Sequence, residues 1–98
     1  MIYTVTLNPA IDETIEVARL EVNGVSEAQT RSRQAAGKGI NVSRALKTLG
    51  RDSVPVVLLG NRDIPFFREE MAAAGLPWVS FSYEGEVRTS QTLVFGEN

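Results

Sequence analysis

Gln34-Ala35-Ala36-Gly37-Lys38-Gly39-Ile40-Asn41-Val42 sets two glycines around a lysine, directly ahead of an apolar pattern that reads as a helix. Glycine allows backbone amides to come close to a ligand and adopts positive φ without steric cost. The first turn of a helix carries unpaired N–H groups and a partial positive charge. Lys38 adds a full charge at the same place. The stretch therefore reads either as an anion or polar-ligand site or as a tight strand-to-helix turn with an incidental lysine. It is not a Walker A loop, because Ser32 stands where the first glycine belongs and Gly39 follows the lysine. It is not a dinucleotide fingerprint, because Val42 stands where the third glycine belongs.

Outward from this turn, the chain alternates. Met1 to Leu7 is rich in β-branched and aromatic residues and reads as a buried strand, ended by Asn8-Pro9. Asp12 is expected in the loop that follows. Thr14 to Val17 alternates as a strand, Asn23-Gly24 reads as a turn, and Val25 to Gln34 is polar on both faces. Asn41 to Gly50 reads as a helix burying Val42, Ala45, Leu46 and Leu49, with Gly50 at its C-terminal cap. Val54 to Leu59 is nearly continuously apolar, as in a sheet covered on both faces, with Pro55 at its start or on an unpaired side. Ile64 to Ala74 reads as a second helix, capped by Asp63 and stopped by Gly75 and Pro77, with Ile64, Phe67, Met71 and Ala74 buried and Arg68, Glu69 and Glu70 outward. Trp78 to Tyr83 and Arg88 to Phe95 read as strands. Helices between apolar strands imply an α/β fold with a mostly parallel sheet and flanking helices. The polar pair at 13–34 does not fit that core and reads as an insertion standing off it.

Composition narrows the chemistry. The 98 residues allow one small domain or a piece of a larger one, and 43% apolar content fits a globular chain. A net charge of −2 gives no case for nucleic acid or an acidic membrane. No cysteine and no histidine are present, which excludes a Ser-His-Asp triad and leaves no ordinary metal site. No basic-then-apolar leader and no membrane-length apolar run are visible, so a cytoplasmic location is expected.

The remaining candidates each have two readings. Asp12 is a hydroxyl acceptor at the end of a strand or a solvated turn residue. Asn41 can serve a hydroxyl ligand or cap its helix. Arg88 can hold a phosphate through two parallel hydrogen bonds or balance Glu84 and Glu86 at the surface.

Taken together, Thr6-Leu7-Asn8-Pro9-Ala10-Ile11-Asp12, Ala36-Gly37-Lys38-Gly39-Ile40-Asn41-Val42-Ser43-Arg44-Ala45-Leu46 and Arg88-Thr89-Ser90 resemble the PfkB branch of the ribokinase superfamily. The nearest subgroup is the 1-phosphofructokinase and tagatose-6-phosphate kinase type. The resemblance runs along essentially the whole chain but covers only the N-terminal portion of such a kinase. It implies a ribokinase-like fold with a small β lid, formed by strands at about 13–34 and 88–95, over a sugar phosphate. It implies that Asp12 binds sugar hydroxyls, that Gly37, Lys38, Gly39 and Asn41 hold the sugar, and that Arg88 contacts its existing phosphate. Such enzymes transfer the γ-phosphate of ATP to a sugar-phosphate hydroxyl with Mg²⁺, here from fructose 1-phosphate to fructose 1,6-bisphosphate. The lid strands often make a homo-oligomer contact, and the open sheet edge offers another.

The family's catalytic aspartate lies in a Gly-Ala-Gly-Asp turn that does not occur here. The chain alone is therefore expected to be an inactive fragment, with no catalytic, nucleotide-binding or metal-binding residue. ATP and Mg²⁺ are expected of the parent enzyme only. The sequence also departs from the family at Ala36, Asn61 and Ser90, where Gly, Gly and Asn are usual. A non-catalytic sugar-phosphate-binding or oligomerisation module, or a tagatose-6-phosphate or 6-phosphofructokinase specificity, are the alternatives.

Overall fold

The computed structural model describes residues 1–17, 24 and 28–95. The strands are β1 (Tyr3–Thr6), β2 (Ala10–Val17), β3 (Ala28–Ala36), β4 (Val54–Gly60), β5 (Val79–Tyr83) and β6 (Arg88–Phe95). The helices are α1 (Lys38–Thr48) and α2 (Ile64–Ala73), the second entered through a 3₁₀ turn at Asn61–Asp63. The strands form two sheets. One is parallel, in the order β1-β4-β5; the other has β2 at its centre, antiparallel to β3 and parallel to β6. The expected parallel sheet with helical crossovers is present. The polar segment stands apart from it, and β2 reaches back to Ala10. Asp12 is thus inside a strand, not in a loop. Of the expected Asn23-Gly24 turn, Asn23 lies outside the described residues, as do Val25 to Glu27.

Helices cover one face of the parallel sheet. Register partners share a face, which groups Thr4, Thr6, Pro55, Val57 and Leu59, all buried. Val57 and Leu59 pack with Ile40 of α1 and with Phe67, Met71 and Leu76 of the α2 segment. The opposite face carries Tyr3, Val5, Val79 and Phe81, all exposed, and the half-buried Val56 and Leu58. Among the described residues, β4 is therefore covered on one face, not on both as expected. Its burial alternates with the two-residue period of a strand packed on one side.

The first helix corrects a second expectation. It begins at Lys38, and its buried residues are Gly39, Ile40 and Ser43, not Val42, Ala45 and Leu49. The reason is close approach. A Cβ on Gly39 would lie 2.5 Å from Thr6 Oγ1 and 2.8 Å from the Val5 carbonyl oxygen. Only small residues let α1 sit that near β1. The hydroxyls there are mutually satisfied: Thr4 and Ser43 are 2.7 Å apart, and Ser53 donates to Ser43 at 2.7 Å. Apolar periodicity cannot detect a face built from glycine and paired hydroxyls.

The second helix follows expectation along its apolar stripe: Phe67 and Met71 are buried, and Ile64 and Ala74 pack against them. Both helices end in the bonding pattern of a Schellman cap. Arg51 N–H reaches Leu46 O at 2.8 Å and Gly50 N–H reaches Lys47 O at 3.0 Å. The Leu76–Met71 and Gly75–Ala72 bonds repeat it. Glu70, expected outward, is half-buried and accepts the Ala35 N–H at 2.9 Å, tying α2 to β3. Arg33 of β3 also lies over the Phe66 ring, 4.9 Å from its centroid. These contacts join the two sheets.

Candidate functional site

The glycine turn sits where β3 hands over to α1. Gly37 has φ 156°, and a Cβ there would lie 2.4 Å from Thr6 Cγ2. Thr6 also serves the helix as an acceptor: Thr6 Oγ1 accepts the Ile40 N–H at 3.1 Å. That donor is one of those a first helical turn leaves without an intrahelical partner. Strand β1 therefore caps α1, since Gly37 has no side chain for the task. Ala36 is buried and extended at the end of β3, paired with Ala10, so alanine fits this position.

Lys38 emerges from this turn into a cavity of about 390 Å³ at the C-terminal end of β1. Val5, Thr6, Leu7, Asn8, Lys38 and Arg88 line it. In open α/β sheets, ligands bind in the crevice beyond the carboxyl ends of the strands. A second cavity, about 350 Å³, lies at the other end of the sheet beside Met1, Ser53 and Val54. The first cavity brings Lys38 of α1 together with Arg88 of β6, and among the described residues no carboxylate is in its lining. Two cations facing one space favour an anion.

Register carries the site into the second sheet. Arg88 pairs with Ala10; two positions along, Asp12 pairs with Ser90 on one side and Gln34 on the other. Partners and alternate residues share a face, so Arg88, Ser90, Asp12 and Gln34 lie on the same side. Two residues along and one strand across, the Arg88 and Asp12 positions are roughly 8 Å apart, a span that a small polyol covers. The opposite side holds Glu13, which pairs with Arg33 at 3.6 Å and accepts from Gln91 at 2.8 Å.

Among the expected residues, then, Lys38 and Arg88 meet in the cavity, Gly37 and Gly39 flank Lys38 but pack against Thr6 and its neighbours and do not line it, and Asp12 stands on the adjoining strand face. Asn41 does not line the cavity; its Oδ1 accepts from Arg44 Nη1 at 3.2 Å. Sequence reading takes Asn8 as the end of a strand and part of the family motif and Ser90 as a departure from that motif, and it gives Gln34 no place beside Asp12. The signal for Asn8 lay in its place directly after a buried strand. No local signal places Gln34 beside Asp12, because cross-strand neighbours are set by register. Among the described residues, no group of three or more carboxylates, histidines or cysteines lies together to hold a metal ion. No helix of the described residues is long and apolar enough to cross a membrane.

Comparison with known proteins adds a lineage. A model described as pfkB family carbohydrate kinase matches residues 5–98. The 1-phosphofructokinase of Xanthomonas campestris pv. campestris is 36% identical over 91 residues, which are 93% of this chain and 29% of that protein. The tagatose-6-phosphate kinase of Staphylococcus epidermidis is 31% identical over 88 residues, 90% of this chain and 28% of that protein. Phosphofructokinase-2 from Escherichia coli, solved in complex with fructose-6-phosphate, superposes with a TM-score of 0.82 at 23% identity, over 94% of this chain and 30% of that one. That last likeness bears on the fold, which is ribokinase-like. The chain spans less than a third of the length of these relatives.

Proposed function

The chain belongs to the pfkB family of carbohydrate kinases, and we propose that it supplies the sugar-phosphate side of a kinase acting on fructose 1-phosphate. The observation that carries this reading is the cavity shared by Lys38 and Arg88, cations delivered from helix α1 and strand β6 to the C-terminal end of β1. Arg88 takes the phosphate the sugar already bears, with its planar fork matched to two phosphate oxygens. Lys38 neutralises charge from the opposite wall. Asp12 accepts hydrogen bonds from the sugar hydroxyls on the neighbouring strand face. Gly37 and Gly39 hold the sugar at the turn from which Lys38 emerges. Asn41 joins them once its amide leaves Arg44. The sheet of β2, β3 and β6 acts as a lid over the sugar, and residues 1–98 form the sugar-binding N-terminal part of the enzyme.

Kinases of this family use ATP and Mg²⁺; when bound, they supply the phosphoryl group and the charge neutralisation its transfer requires. No residue of this chain is assigned to either, and none is assigned as the general base. The chain by itself is therefore proposed to bind sugar phosphate without turning it over, in the cytoplasm.

Relatives named for fructose 1-phosphate and for tagatose 6-phosphate match this chain comparably. Steady-state kinetics on the intact protein decide between them. Fructose 1-phosphate should give the highest kcat/KM against fructose 6-phosphate and tagatose 6-phosphate, and a tenfold preference for either rival, a margin of about 1.4 kcal/mol, would reject it. Copies are proposed to associate through the exposed edges of the second sheet or of the parallel sheet, since unpaired edges invite pairing. Sedimentation should return a dimer or larger, and a monomer at high concentration would contradict this.

A further inference from the structure

Asp63 occupies the N-cap position of α2 yet makes no side-chain bond to its own helix. Its Oδ2 instead accepts the N–H of Val87 at 2.8 Å, across 24 residues of sequence. The neighbouring residues do the same. Asn61 Oδ1 accepts the Gly85 N–H at 3.1 Å, and the Arg62 N–H donates to Gly85 O at 3.2 Å. Arg62 Nη1 pairs with Glu86 Oε1 at 3.2 Å. The contact is tight enough that a Cβ on Gly60 would lie 2.4 Å from the Gly85 carbonyl oxygen.

The two ends of this brace differ in what they touch. One is the entry to α2, whose Phe67 and Met71 are buried in the core. The other is the 85–87 connection, which leads directly into Arg88. Val87 is itself buried, so the last residue before Arg88 is fixed by packing on its side chain and by Asp63 on its amide. A carboxylate acceptor makes that amide bond a charge-assisted one. A flexible arginine emerging from a free turn would have to be ordered at each binding event. One emerging from this brace starts ordered, which lowers the cost of binding.

We infer that Asp63 is a positioning residue that, with Asn61, fixes the backbone at Val87 so that Arg88 meets the substrate's phosphate. This rests on the reading of Arg88 as the phosphate contact. The test is a double-mutant cycle on the intact protein, with fructose 1-phosphate titrated by calorimetry and each variant's thermal melt recorded. Asp63→Ala should weaken binding by about tenfold, the loss of one charged hydrogen bond. Asp63→Asn should recover most of it, because the amide oxygen still accepts. In the Arg88→Ala background, Asp63→Ala should change nothing further, because its effect passes through Arg88.

Binding by Asp63→Ala equal to the unaltered protein, or weakened by the same factor with and without Arg88, would overturn the inference. If Arg88→Ala alone binds like the unaltered protein, the assignment of Arg88 falls and this inference with it. Should Asp63→Ala lose its cooperative melt, Asn61→Ala enters the same cycle and is judged by the same criterion.

Discussion

In the parallel sheet, Val57 and Leu59 are wholly buried beneath Phe67 and Met71. In the second sheet, burial is concentrated near the base, at Ala10, Ile11, Ala35 and Ala36, and the row Gln34, Asp12 and Ser90 is exposed. The first sheet is held by what it hides; the second displays what a ligand would meet. The candidate cavity lies where they join, with Lys38 from one side and Arg88 from the other. Substitutions in the first should therefore change stability, and substitutions in the second should change binding. Those at the joint should change both.

The largest effect belongs to the hidden side. Phe67→Ala empties a fully buried aromatic site and should cost about 3–5 kcal/mol of unfolding free energy. Urea unfolding checks this, and the fraction that remains folded should bind sugar phosphate with unchanged affinity. At the joint, Gly39→Ala places a Cβ against the Val5 backbone, which cannot swing aside as a side chain would. Overpacking of that kind costs about 1–3 kcal/mol. Because α1 must lift to relieve it, Lys38 moves too, and the same variant should lose fructose 1-phosphate affinity in a titration. Smaller again is Glu70→Ala, which removes the acceptor of the Ala35 N–H. About 1–2 kcal/mol should be lost, seen as faster hydrogen exchange at Ala35, while the core amides of β4 stay protected.

Much of the hidden side was legible in the sequence. The stripe of Phe67 and Met71, the caps at Gly50 and Gly75 and the strand at 88–95 are local patterns, and local patterns reach the fold largely intact. What failed was non-local. The buried face of α1 depends on Thr4 and Thr6 of β1 and on Ser53 just before β4, so apolar periodicity points to the wrong face. Asp63 was read as a cap for its own helix because the acceptor it provides is visible in sequence and its distant donor is not. For the site, Lys38 and Arg88 were readable as cations near turns, but Asp12 was misplaced. A polar strand with charges on both faces lacks the alternation that marks where it begins. Val79 and Phe81 alternate well and are exposed all the same, because alternation identifies a face without saying what covers it.

The central claim is that Arg88 holds the phosphate of a phosphorylated sugar at the junction of the two sheets. Calorimetric titration of the intact protein with fructose 1-phosphate and with fructose, before and after Arg88→Ala, tests it most directly. The unaltered protein should prefer the phosphorylated sugar, and Arg88→Ala should remove about 2 kcal/mol of that preference while fructose binding stays the same. An Arg88→Ala variant that keeps the full preference would contradict it.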